Sequence, residues 1–413
     1  MNYWKKISAH QRQVRIEEAL VEVIDFANDI SLGYPASRLD TKVFNDEMPF
    51  LKDAPILQAF VANPNNIGCH TLGTSERAFR GTQTLEREVL DVLAVDIFKA
   101  EKDAFDGYVA TGGTEANIQA LWMYRNFFQK KYHAKIDEIV IITSEDTHYS
   151  IPKGSNILSV DWVRIPVVFE TREIDQKALE ELVKEQKAKG KKYFIVVANM
   201  GTTMFGSVDN INVYTDILEA EGLMYKLHID AAYGGFVYPF SNTSSTINFE
   251  NPKVSSITID AHKMLRAPYG TGIFICRKGL IDNVLTKEAA YVEGMDLTLC
   301  GSRSGANVVA VWSILFAYGY YGWKENIDVL QMRTSWLCEE LDKLGVGYFR
   351  EPFMNIVTLK SEFVSEQLAH KYHLVPQEHD NADNKWYKII VMEHVEIDDL
   401  LPFLEELKVE LKK

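Results

Sequence analysis

Ser256–Arg266 reads SITIDAHKMLR, an apolar, β-branched run that alternates through Ile257 and Ile259, reaches an acid at Asp260 and then breaks into a His-Lys pair. That reading sets Lys263 at the end of a buried strand. Burial disfavours the charged form of an amine, and a neutral amine is a nucleophile toward an aldehyde. A second terminus of this kind lies upstream: Tyr225–Phe236, YKLHIDAAYGGF, alternates into Asp230 and then turns through two alanines, Tyr233 and a Gly-Gly pair. Asp230 and Lys263 stand 33 residues apart, about one strand–crossover–strand unit, so both side chains are expected at one edge of a sheet.

A carboxylate and an amine meeting there suit pyridoxal phosphate, whose aldehyde takes a lysine and whose ring nitrogen takes an acid. Its phosphate needs a cradle, and Gly107–Asn117, GYVATGGTEAN, runs from a strand through Gly112, Gly113 and Thr114 into a periodic helix over Glu115–Phe128. Free N–H groups at a helix start and a threonine hydroxyl suit an anion. Thr143–Lys153, TSEDTHYSIPK, places His148 just beyond another strand, where an imidazole is positioned to lie on a pyridine face. Asn199–Thr203, NMGTT, ends a further apolar run with two hydroxyls.

From Tyr108 to Arg277 the pattern reads as strands at 108–111, 138–143, 193–198, 225–230, 255–260 and 271–276, separated by helical or crossover stretches. Strands alternating with helices imply a largely parallel sheet with its loops gathered at one edge. Lys5–Ile30 and Thr84–Phe98 carry helical periodicity, and Asn63–Phe79 reads as a long loop. Lys177–Gly190 reads as a solvated, charged helix. Beyond Arg277, helices are expected at Val308–Tyr320 and Glu325–Leu344, followed by strands at Ile356–Leu359 and Lys388–Met392 and a closing helix from Asp398, with Pro402 in its first turn. The expected organisation is an N-terminal helical arm over 1–60 that packs on a partner subunit, a large cofactor-binding domain over 61–305, and a connector with a small α/β domain over 306–413.

The motifs SLGYPAS at Ser31–Ser37, TGGTEAN at Thr111–Asn117, DTHYS at Asp146–Ser150, GTT at Gly201–Thr203, HIDAAYGG at His228–Gly235, DAHKM at Asp260–Met264 and CGSRSG at Cys300–Gly305 occur in one order. In this the chain resembles the group II pyridoxal-phosphate-dependent amino-acid decarboxylases, and looks most like their short bacterial histidine decarboxylase branch. The resemblance implies an α/β, fold-type I architecture with a mostly parallel seven-stranded sheet. It also implies a homodimer with its active site at the subunit interface. Lys263 would hold the cofactor covalently, with His262 beside it at the phosphate or the reacting groups. Asp230 would pair with the ring nitrogen, Ala232 and His148 would flank the ring, and Thr203 would sit near the ring oxygen. Gly113 and Thr114 would hold the phosphate, Ser302 would reach a phosphate in the neighbouring subunit, and Tyr34 would lie near the substrate. The animal members carry a tyrosine proton donor on a mobile loop. Val292–Arg303 contains no tyrosine, which leaves Tyr291 and His262 as donor candidates.

The chain has 413 residues with 46% hydrophobic and 25% charged side chains, the balance of an ordinary globular protein. A net charge of −14 argues against nucleic acid and anionic membrane as partners. Cys69, Cys276, Cys300 and Cys338 show no CxxC spacing, so neither a disulfide framework nor a metal site is expected, and a reducing cytoplasm fits. No signal peptide or membrane span is read. The implied substrate is an L-amino acid, either acidic, with Arg77, Arg80 or Arg303 as its cation, or aromatic or imidazole-bearing, with Tyr34 or His70 as the polar partner. Competing readings are a carbon–carbon lyase of the sphingosine-phosphate type, a cysteine desulfurase using Cys300, and a scaffold without activity.

Overall fold

The computed structural model describes residues 3–25, 28, 39–40, 51, 53–68, 73–287, 289, 293–377 and 386–412. The larger of two sheets has seven strands: β1 (Phe105–Ala110), β2 (Ile139–Ser144), β3 (Asp161–Ile165), β4 (Tyr193–Asn199), β5 (Met224–Asp230), β6 (Val254–Asp260) and β7 (Gly272–Arg277). Their order is β1-β7-β6-β5-β4-β2-β3, parallel throughout except that β7 runs against both β1 and β6. Six of the seven follow the apolar runs read above. β3 is the one those runs did not show, because as an edge strand it is only partly buried and its DWVRI pattern is short.

β2 and β6 are buried along their whole length and β4 nearly so, as expected of strands covered on both faces. Successive residues feed opposite faces. Val140, Ile142, Phe194 and Val196 join one core, with Leu85 and Val89 of α3 (Arg80–Asp91), Leu179 of α6 (Gln176–Ala188) and Leu218 of α7 (Ile211–Ala220). Ile139, Ile141, Ile195 and Val197 join the other, under α4 (Gly113–Tyr132) and α5 (Ser150–Leu158). α1 (Ala9–Val21) is shorter than its periodic stretch, begins on a Ser8–Gln11 capping box, and buries Ile16 and Ala19 in the chain's own core. α2 (Pro55–Ala62) precedes the loop expected from Asn63, and α8 (Tyr238–Ser241) is a single turn.

The two helices expected after Arg277 are two arms of α9 (Gly305–Leu344), which breaks at Gly319 (φ 65°, ψ 174°). A Cβ on Gly319 would stand 2.5 Å from the backbone nitrogen of Lys6, so the crossing N-terminal segment requires glycine there as much as the dihedral does. α9 leads into a second, antiparallel sheet of β8 (Tyr348–Phe349), β9 (Ile356–Lys360), β10 (Val375–Pro376) and β11 (Trp386–Ile390), ordered β10-β11-β9-β8. α10 (Glu366–Lys371) and α11 (Ile397–Glu410) complete a separate apolar core with Leu359, Tyr387, Ile389 and Leu404. Pro402 lies inside α11 rather than in its first turn, so its missing N–H removes a helical bond. Among the described residues no helix is long and apolar enough to cross a membrane.

Candidate active site

The C-terminal ends of the parallel strands bring the sequence motifs together. Asn199 on β4 pairs in register with Asp230 on β5, and Asp230 pairs with Thr258 on β6, two residues before Asp260. Lys263 follows on the turn joining β6 to β7. One cavity of about 410 Å³ is lined by His148, Thr203, Asp230, Ala232, His262 and Lys263, among others. A second, of about 540 Å³, is lined by Gly113 and Thr114 at the start of α4 and shares His148, Ala232, His262 and Lys263 with the first. Seven of the expected cofactor residues therefore converge, and Thr203 joins them from the first cavity. Ser302 does not: it is exposed, accepts a 3.2 Å hydrogen bond from Asn65 Nδ2, and lines neither cavity. Tyr34, His70 and Tyr291 lie outside the described residues.

Asp230 is buried and held as a pure acceptor. Asn117 Nδ2 donates to its Oδ2 at 2.7 Å, and the backbone N–H of Ala232 donates to its Oδ1 at 3.1 Å. The Asn117 amide is itself oriented, since its Oδ1 accepts from His228 Nε2 at 3.0 Å and its Nδ2 also reaches Ser150 Oγ at 2.9 Å. His228 Nδ1 is 2.7 Å from Ser256 Oγ, which in turn contacts the Tyr124 hydroxyl. Burial pushes His228 down to about 4, so this chain of buried groups presents a neutral imidazole to Asn117. Asn117 belongs to the TGGTEAN motif and His228 to HIDAAYGG, but neither was assigned a role from the sequence. One helical turn past Gly113 was the signal that could have marked Asn117.

His148 is partly buried, and burial lowers its basicity against the opposing pull of Asp230. Its Nδ1 accepts from the backbone N–H of Ser150 at 3.2 Å, which leaves the proton of the neutral ring on Nε2. Its loop is fixed from below by Asn199, which donates to Thr147 Oγ1 at 2.9 Å, and by Arg172, which grips Asp146 through Nε at 3.0 Å. Lys263 is not in the apolar setting expected of it. Its side chain is 33% exposed, and Asp260 Oδ2 lies 3.4 Å from Nζ. Burial raises Asp260 above the usual carboxylate range, with Lys263 and His262 opposing.

The residues present fit pyridoxal phosphate. The N-cap Gly112 has no side chain to cap α4, and although the Gly113 N–H is held by Asp260, the start of the helix is a favourable place for an anion. A Cβ on Gly113 would lie 2.6 Å from Asp260 Oδ2, so the cradle is closed to any larger residue. His262 Nδ1 and Asp260 Oδ1 are buried without a hydrogen-bond partner among the described residues, and both residues line the second cavity. Among the described residues no cluster of metal-ligating side chains occurs.

The cations considered for an acidic substrate are engaged elsewhere. Arg303 is buried against Glu86 and donates to the Val109 carbonyl at 2.8 Å, Arg77 pairs with Glu293 at 3.0 Å, and Arg80 pairs with Glu22 at 3.3 Å. None of them lines either cavity. Lys388 of β11 does line the first one and was not singled out, because a lysine on a short strand carries no local sign of facing a site.

Residues 65–350 match the pyridoxal-dependent decarboxylase conserved domain. The chain is 50% identical over 408 residues to a tryptophan decarboxylase of Clostridium sporogenes, covering 99% of this chain and 98% of that protein. It is 32% identical over 343 residues to an L-aspartate decarboxylase of Thermococcus kodakarensis, covering 79% and 82%. The fold is shared with L-methionine decarboxylase of Streptomyces sp. 590, at TM-score 0.72 and 21% identity over 98% of this chain and 95% of that one. These comparisons carry the group II resemblance but do not single out its histidine-decarboxylating branch. The chain belongs to the pyridoxal-dependent decarboxylase family: it is a pyridoxal-phosphate-dependent carboxy-lyase acting on an amino acid.

Proposed function

We propose that the substrate is an aromatic L-amino acid, tryptophan first, decarboxylated to its amine. The observation that carries this is the wall of the first cavity, where Tyr233, Tyr269, Ile356, Ile390 and Met392 offer apolar surface and, among the described residues, no arginine lines it. The 50% identical relative named for tryptophan supports the same choice over histidine or an acidic substrate.

When bound, pyridoxal phosphate supplies the sink for the electron pair released as the Cα–carboxylate bond breaks. The chain's own residues then divide the work. Lys263 would hold the cofactor, Gly113 and Thr114 would bind its phosphate with His262 alongside, and Ala232 and His148 would flank its ring. Thr203 would sit near the ring oxygen. Asp230, kept an acceptor by Asn117 and the Ala232 N–H, holds a proton at the ring nitrogen. Ser302 serves the phosphate of a neighbouring subunit, Tyr34 contacts substrate, and Tyr291 or His262 returns the proton to Cα. The divisions 1–60, 61–305 and 306–413 are those of arm, cofactor-binding domain and small domain.

The working form is a homodimer. Tyr149, Tyr269, Met295 and Leu299 are all exposed, and Tyr149, Tyr269 and Leu299 line the two cavities, a surface that a second copy would cover. No disulfide joins Cys276, Cys300 and Cys338, which suits a reducing cytoplasm. The test is carbon dioxide release from the twenty amino acids and dopa, together with the visible absorbance of the loaded enzyme. Lys263→Ala is expected to lose both the band and turnover. Asp230→Ala is expected to keep some cofactor while turnover falls by roughly 10³-fold. Release from aspartate or histidine with none from tryptophan refutes the substrate, and a Lys263→Ala enzyme at wild-type rate refutes the site.

A further inference from the structure

β11 alternates in the usual way of a strand between two layers. Tyr387 and Ile389 enter the core of the smaller sheet, whereas Trp386 packs on Phe205 and Phe349, and Ile390 packs against the core of the larger sheet. Lys388 shares that second face. It is the one charged side chain in the row, and it lines the cavity that holds Lys263 and Asp230. A lysine at a position flanked by tryptophan and isoleucine has to meet a polar group there.

The chain supplies very little of one. Lys388 Nζ donates to the Thr203 carbonyl at 2.8 Å, and among the described residues no carboxylate lies within ion-pair distance of it. An ammonium has three donors, so two are left for a ligand. Burial, and after it the charge of Lys263, lowers the basicity of Lys388, and no acid offsets them. The acid nearest the chemistry, Asp230, is already taken by Asn117 and Ala232. Every amino acid brings the missing partner, an α-carboxylate.

We propose that Lys388 anchors the α-carboxylate of the incoming amino acid, the group that leaves as carbon dioxide. This deepens the reading above and rests on Lys263 as the cofactor-holding residue. In the reaction the Cα–carboxyl bond breaks, its electron pair stays on the Cα side, neutral carbon dioxide departs and a proton takes its place. The anion that Lys388 holds is therefore consumed on the way to the transition state. An interaction stronger in the ground state than in the transition state lowers KM and, if anything, slows kcat. Lys388 accordingly recruits substrate and does not speed the bond cleavage.

The experiment uses the loaded full-length enzyme, with Lys388→Met and Lys388→Arg. Steady-state carbon dioxide release gives KM and kcat for tryptophan, and titration of the visible band gives dissociation constants for tryptamine and tryptophan methyl ester, neither of which carries a carboxylate. Lys388→Met is expected to raise the tryptophan KM about tenfold, as loss of a charge-assisted hydrogen bond does, while kcat stays the same or rises. Tryptamine and methyl ester are expected to bind within about twofold of wild type, and Lys388→Arg to recover most of the lost KM. An unchanged tryptophan KM overturns the proposal, and so does an equal weakening of tryptamine, which would mark a structural role. Loss confined to aspartate or glutamate turnover assigns Lys388 to a side-chain carboxylate and overturns it too. A wild-type enzyme with no visible band and no release from tryptophan would instead fail the underlying reading.

Discussion

His228 sits at the centre of the larger sheet between Ser256 and Asn117, and replacing it with glutamine removes one titrating group there while keeping an N–H and an oxygen. In the folded chain burial pushes it down to about 4 from an ordinary 6.5. As pH falls the unfolded chain takes the proton first, so the stability His228 contributes is fully present above about pH 6.5 and is lost progressively toward pH 4. A shift of about 2.5 pH units at about 1.4 kcal/mol per unit gives about 3 kcal/mol in full, and about 2 kcal/mol by pH 5. Urea unfolding of wild type and His228→Gln at equal protein concentration, from pH 8 to pH 5, measures it. Asp106 and Asp209, each raised by burial to about 6, and Glu351, raised to about 7, lose stability in the opposite direction, as pH rises. They are common to both proteins and cancel in the difference. His228→Gln is expected to be the less stable protein at pH 8, with the gap closing by about 2 kcal/mol at pH 5. Parallel pH profiles would refute the buried neutral imidazole.

Gly113→Ala should weaken cofactor binding at least about tenfold, because the new Cβ would lie 2.6 Å from Asp260 Oδ2 and displace it beside the proposed phosphate cradle; titration of the apoenzyme with pyridoxal phosphate reads this, and an unchanged Kd contradicts the cradle. Arg172→Met leaves the buried carboxylate of Asp146 without its 3.0 Å partner and takes away the guanidinium 4.0 Å over the Phe205 ring. It should cost about 3–5 kcal/mol by urea unfolding and speed amide exchange across the loop carrying His148; native-like exchange there would show that Arg172 does not hold that loop.

Much of this site was open to a reader of the sequence because its signals are local. A parallel strand covered on both faces is an apolar run, and a cavity-lining residue follows where the run stops, as with Asp230, Lys263, His148 and Thr203. Glycine at a close approach, as at Gly113, is also a one-residue signal. Edge strand β3, the short strands β8 and β10, and the break of α9 at Gly319 depend on what packs beside them, and their sequences are unremarkable.

The sequence by itself determined the α/β alternation, the order of the strand-end motifs and the residue types that suit pyridoxal phosphate. Only the tertiary structure decided the partners. It joined Asn117 of α4, His228 of β5 and Ser256 of β6 behind Asp230, and it set Asp260 against Lys263. It buried Arg303 against Glu86 and turned Lys388 of a distant strand toward the cavity in its place. Periodicity fixes which face of an element is apolar, whereas a hydrogen bond between residues a hundred positions apart depends on how the elements dock, and no local pattern carries that.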